Sequence, residues 1–244
     1  MRRPGLWSRP AALLLLALAL TGCETTAEKS AKLEREARHL VLAQNGLEIT
    51  RASAEVKVQS ATVVRGSENA AVAVTLRSLA AHTLRAVPIA ITVSSQSGRT
   101  LYQNNQAGLE ATLVSVPSIA PRARITWVND QVPSAGDPAS VRVRVGEAPS
   151  VRGAAPQMTV TGVQQLTEAS GSYGASGNVT NRSTVAQVNL VVFGVAYRAG
   201  VIVAAGRAVL PELAAGASAR FEMFFAGDPR GAQLVFDAPA STFD

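Results

Sequence analysis

From Leu47 onward apolar and polar positions alternate with a period of two, the spacing of a half-buried β-strand. The stretches AEVKVQSATVV (54–64) and AAVAVTL (70–76) follow this pattern. In VPIAITV (87–93), Val87, Ile89, Ile91 and Val93 share one face. In SVRVRV (140–145), Val141, Val143 and Val145 lie opposite Arg142 and Arg144. Polar clusters such as SSQSG and PSAGDP supply turns between the strands.

The second half repeats the scheme. MTVTGV (158–163) opens it, and NVTNRSTVAQVNLVVFGVAY (178–197) echoes VTLRSLAAHTLRAVPIAITV (74–93). Val191, Phe193, Val195 and Tyr197 mirror Val87, Ile89, Ile91 and Val93. VPSIAPRARITWV (116–128) parallels LPELAAGASARFEMF (210–224), which makes Trp127 and Phe221 or Phe224 core anchors. AQLVFD (232–237) closes the chain as a counterpart of 140–145. Many short strands at regular spacing predict an all-β protein of two tandem immunoglobulin-like β-sandwich domains. Their expected extents are 48–147 and 155–240, joined by GEAPSVRG.

The first 46 residues carry a different pattern. MRRPGLWSRP, with three arginines and no acid, precedes ten apolar positions, AALLLLALAL (11–20). That run is about half the roughly 20 residues a transmembrane helix needs. A basic head, a short apolar run and small residues before a cut site describe a secretory signal peptide over residues 1–22. The chain's one cysteine follows directly. Leu20-Thr21-Gly22-Cys23 resembles the lipobox of bacterial lipoproteins. The resemblance implies a diacylglyceryl group on the Cys23 sulfur and cleavage before it. The mature chain then has no free thiol, hence no disulfide and no cysteine nucleophile. Two or more acyl chains give durable membrane attachment, whereas a single chain holds weakly.

Residues 24–45, ETTAEKSAKLEREARHLVLAQN, are rich in helix formers. Glu28 with Lys32 and Glu34 with Arg38 are i,i+4 pairs in the favourable order. Leu33, Ala37 and Leu40 make a narrow apolar stripe, and Asn45-Gly46 is a C-terminal stop. Segment 23–46 therefore reads as a lipidated N-terminus and helical stalk. Its stripe is too short for a strong coiled-coil seam.

The second half resembles the FxLYD family of small bacterial envelope domains in GNVTNRS, VNLVVFGVAY and LPELAAGASARFEMF. Arg198 stands where that family's acidic residue follows Tyr197. The resemblance implies a sandwich in the cell envelope and transfers no catalytic residues.

Charge and candidate chemistry narrow the function without naming it. The net charge of +6 falls to +3 once residues 1–22 are removed, leaving twenty basic and seventeen acidic residues. No basic run marks a nucleic-acid binder. His39 and His82 are far apart, and no Gly-x-Ser-x-Gly elbow occurs, so no hydrolytic triad or zinc set is legible. Asp130, Asp137, Asp228, Asp237 and Asp244 lie singly, without calcium-loop spacing. GSYGASGN (171–178) lacks the Lys-Ser/Thr ending of a phosphate loop and reads as a hairpin loop with Tyr173 at its tip. NVT and NRS, at Asn178 and Asn181, match the N-glycosylation pattern by coincidence.

The expectation is a non-enzymatic envelope lipoprotein with no cofactor and no metal, presenting strand edges and loops to protein partners. The alternative is a small-ligand or glycan-binding lipoprotein accessory to a transport system. The anchor lies on the outer face of a single membrane. In a two-membrane cell, Glu24 after the cysteine leaves outer-membrane sorting open.

Overall fold

A computed structural model of the chain describes residues 46–167 and 171–243. The expected signal peptide over 1–22, the Leu20–Cys23 motif and the expected helix over 24–45 lie outside the described residues. Strand is the dominant element among the described residues, and strands form over the alternating stretches. In the first half these are β1 (Val56–Arg65), β2 (Asn69–Ser78), β3 (Thr83–Ser95), β4 (Thr100–Gln103), β5 (Ser115–Ile119), β6 (Arg124–Pro133), β7 (Pro138–Val145) and β8 (Ser150–Val151), with one helical turn, α1 (Ala111–Val114). The second half adds β9 (Met158–Thr167), β10 (Tyr173–Asn181), β11 (Gln187–Arg198), β12 (Val201–Leu213), β13 (Ser218–Phe224), β14 (Ala226–Gly227) and β15 (Gln233–Asp237).

All pairings are antiparallel. One sheet is β1-β2-β6. Another is built around β3, which pairs with β5 and β8 through its first half and with β4 and β7 through its second. The other two sheets are β14-β12-β11-β15 and β13-β10-β9. Strand register shows which side chains share a face. Trp127 lies opposite Val74 and points into the space shared with β3, where its indole N–H donates to the Thr112 carbonyl at 2.8 Å. Thr75, Thr126 and Asp130 have the other parity and point towards the second half.

Strand β11 divides its side chains between two cores. Val191, Phe193 and Val195 belong to the hydrophobic cluster that contains Trp127, Leu76 and Ile89. Leu190, Val192 and Ala196 belong to a second cluster with Val179, Phe221 and Met223. The β11 sheet therefore lies between the β1-β2-β6 sheet and the β13-β10-β9 sheet. Burial on both faces explains why AAVAVTL and LVVFGVA are nearly continuous apolar runs, since a strand with one wet face alternates more cleanly.

Between 224 and 226 the chain changes sheets at Phe225: β13 pairs with β10, and β14 pairs with β12. Gly194 and Gly206 are directly paired beneath this crossing. A Cβ on Gly206 would collide with the Phe224 carbonyl oxygen, and one on Gly194 with the Met223 sulfur. The absent side chains let β13 pass close over the sheet.

Buried polar side chains are fully employed by the fold. Asn104 accepts from the Ile91 N–H and donates to the Ile89 and Leu113 carbonyls. Gln187 accepts from the Ser241 and Thr242 N–H groups and so fastens the C-terminal segment, whose Ala240 carbonyl also accepts from Ser118 Oγ at 2.9 Å.

Candidate functional site

The motif residues Leu20, Thr21, Gly22 and Cys23 lie outside the described residues, as do His39 and Asp244. The other sequence candidates fall into separate places. His82 occupies the bend between β2 and β3, with Nε2 3.5 Å from Glu55 Oε1. Asp137 stands 3.7 Å from Arg65 at an exposed turn. Asn181 is fully buried. It donates to the Val185, Leu213 and Ala214 carbonyls and accepts from Ser183, which excludes it as a glycan acceptor in the folded chain.

The glycine-rich segment is not a loop throughout. Tyr173–Asn181 is β10, paired on both sides. Its glycines serve close packing rather than turning: a Cβ on Gly177 would strike the Phe221 ring, and one on Gly174 the Met223 carbonyl oxygen. Tyr173 opens the strand, and the Arg230 guanidinium lies 4.7 Å from its ring centroid, a cation–π distance. Arg230 grips Asp228 through Nε and Nη2 at 2.7–3.1 Å. The side-chain hydrogen bonds from Arg230 hold the Asp228 carboxyl down at a pKa of about 2. Beside this group runs a groove of about 730 Å³, lined by Arg65, Glu68, Tyr173, the half-exposed Phe224 and Asp228.

A second polar group sits at the junction of the halves. Arg207 of β12, with 5% of its side chain exposed, donates from Nε to Asp130 at 2.9 Å and from Nη2 to Glu110 at 3.0 Å. Its Nη1 donates to Thr112 Oγ1 at 2.7 Å. Nearby, Asn129 donates to the Tyr102 hydroxyl at 3.1 Å, and burial raises the Tyr102 pKa. Asp237 of β15 accepts the Thr126 N–H at 3.0 Å. Burial pushes its carboxyl above the usual aspartate value, against that hydrogen bond.

Sequence reading did not single out Arg207. The available signal was an arginine inside an otherwise apolar strand, GRAVL, and its partner Asp130 is 77 residues away in the chain. Among the described residues, no group of three or more His, Cys, Asp or Glu side chains is placed to hold a metal ion. Nor is any helix among them long and apolar enough to cross a membrane. The fold and its polar clusters define an all-β protein of packed antiparallel sheets. No known family model matches the chain. No curated protein matches it either.

Proposed function

We propose that this chain is a lipid-anchored, non-enzymatic protein of the bacterial cell envelope. Cys23 carries the lipid, residues 24–45 form a helical stalk, and two immunoglobulin-like sandwiches present loops and strand edges to envelope proteins. The observation that carries this reading is the placement of the chain's one cysteine. It follows Leu20-Thr21-Gly22, directly after a basic head and ten apolar positions. The polar chemistry of the strand region agrees with a scaffold. Arg207, Asn104, Asn181 and Gln187 each spend their hydrogen bonds on joining strands, loops or the C-terminal segment. Loops and free strand edges are the usual recognition surfaces of such folds.

Metabolic palmitate labelling with membrane fractionation tests the anchor. The wild-type chain is expected to be labelled and sedimented, and Cys23→Ser to lose both properties. Retention of Cys23→Ser in the membrane pellet, together with an unlabelled wild-type chain, contradicts the reading.

A further inference from the structure

Three cations stand in register across the β1-β2-β6 sheet. Lys57 is paired with Arg77, and Arg77 with Arg124. Directly paired residues on antiparallel strands project from the same face, about 5 Å apart. The row thus presents three positive charges on the face that also carries Thr75 and Thr126. Like charges directly opposite one another destabilise a sheet, and all three residues are exposed, where the fold asks for no charge. Among the described residues none of the three side chains makes an ion pair or a hydrogen bond. The flanking acids are engaged elsewhere: Glu55 with His82 and Asp237 with the Thr126 N–H.

The row lies where the cover of the second half ends. Thr75 and Thr126, one step inward along β2 and β6, are buried, and their hydroxyls are 3.3 Å apart. One step outward, Leu79 is 44% exposed and donates its N–H to the Glu55 carbonyl, continuing the register. Arg124 borders a groove of about 550 Å³ that also holds Tyr197, Gly200 and the partly exposed Val235. Cations interspersed with single exposed aliphatic residues suit a phospholipid surface, where headgroup phosphates meet the charges and the aliphatic side chains enter the interface. We infer that the Lys57–Arg77–Arg124 row, with Leu79 beside it, is the face that rests on the anionic headgroups of the membrane holding the protein.

This inference rests on the lipid-anchor reading. The chain enters β1 at Val56, one residue before Lys57. The 23 residues from Cys23 to Asn45 extend at most about 80 Å, so an anchored chain keeps the row within reach of the bilayer. Each cation near an anionic leaflet contributes about fivefold in partitioning, so three give roughly a hundredfold. That is weak for a free protein and sufficient for one already held at high local concentration.

The test exploits two features of the sequence: Cys23 is the one thiol, and Lys57 is the one lysine beyond residue 32. The chain from residue 23 onward is coupled through Cys23 to a maleimide lipid in preformed vesicles. The tether then exists whether or not cells acylate that cysteine, so failure here and failure of palmitate labelling report on different claims. Lys57 acylation by a water-soluble amine reagent is followed by mass spectrometry. Lys57 is expected to label several-fold more slowly on phosphatidylglycerol vesicles than on phosphatidylcholine vesicles. High salt, or the double variant Arg77→Gln/Arg124→Gln with an unchanged melting temperature, should erase the difference. In the untethered chain, partitioning onto phosphatidylglycerol vesicles should fall by roughly a hundredfold on neutralising all three charges. Equal labelling of Lys57 on the two vesicle types overturns the inference. So does protection by soluble polyglutamate but not by phosphatidylglycerol.

Discussion

Arg207 Nε donates to Asp130 Oδ1 at 2.9 Å, joining β12 of the second half to β6 of the first through a guanidinium that is nearly sealed from water. The boundary expected between the halves thus carries a charged clasp in addition to the apolar contact of Phe193 and Val195 with the Trp127 cluster. A buried arginine stripped of its carboxylates retains its full desolvation cost, so removing one partner is worse than removing both.

Asp130→Ala removes the more buried of Arg207's two carboxylates and is expected to destabilise the chain by about 2 kcal/mol, less than the loss of all partners because Glu110 and Thr112 stay in place. The double variant Arg207→Met/Asp130→Ala should recover part of that loss, because the methionine fills the space without a charge. Glu110 is mostly exposed, and Glu110→Ala should cost under about 1 kcal/mol. Urea unfolding of wild type, Asp130→Ala, Arg207→Met and the double variant gives the coupling. A double variant as unstable as the sum of its singles contradicts the clasp.

Trp127 is one of two tryptophans, and the other is Trp7, so the fluorescence of the chain from residue 23 onward reports on the Trp127 core alone. Phe193→Ala, in the second half, should cost about 3–5 kcal/mol. It should also lower the urea midpoint read from Trp127. A midpoint unmoved by Phe193→Ala would show that the two halves unfold independently.

Asp237 gives a pH signature. Its folded pKa is raised above the ordinary 3.8, so its contribution to stability is complete below that value and is lost as pH rises through the folded pKa. Ionising this carboxyl in its buried place costs stability. Asp237→Asn keeps an acceptor for the Thr126 N–H and removes the charge. Its melting temperature should exceed wild type at pH 7, and the gain should shrink to nothing near pH 3. A gain that persists unchanged at pH 3 rules out the titration as its source.

Asp228 shifts the other way. Arg230 holds its carboxyl at about 2, so in an NMR titration its side-chain carbon should move well below the ordinary range, and Arg230→Gln should return it towards 3.8. This pair is exposed, and the effect belongs to local charge rather than to global stability. A midpoint already near 3.8 in the wild-type chain removes the Asp228–Arg230 contact from the account.

Much of the strand pattern was legible because Val87, Ile89, Ile91 and Val93 obey a period of two, and the same parity appears in β3 as alternating buried and half-buried positions. The second burial of β11 was not legible. Reading Val191, Phe193 and Val195 as the inward face leaves Leu190 and Val192 outward, and only the sheet of β9, β10 and β13 explains why they too are apolar. The glycines at 174 and 177 read as a loop because composition does not separate a turn glycine from one pressed against a neighbouring strand. The cationic row escaped notice for a similar reason. Lys57, Arg77 and Arg124 are isolated in the chain, and only the pairing register brings them side by side.

The anchor itself is tested most directly by the intact mass of the protein extracted from bacterial membranes. The account predicts a chain beginning at residue 23 and heavier than its sequence by at least a diacylglyceryl group on Cys23. A chain that retains residues 1–22, or one of unmodified mass recovered from the soluble fraction, would contradict it.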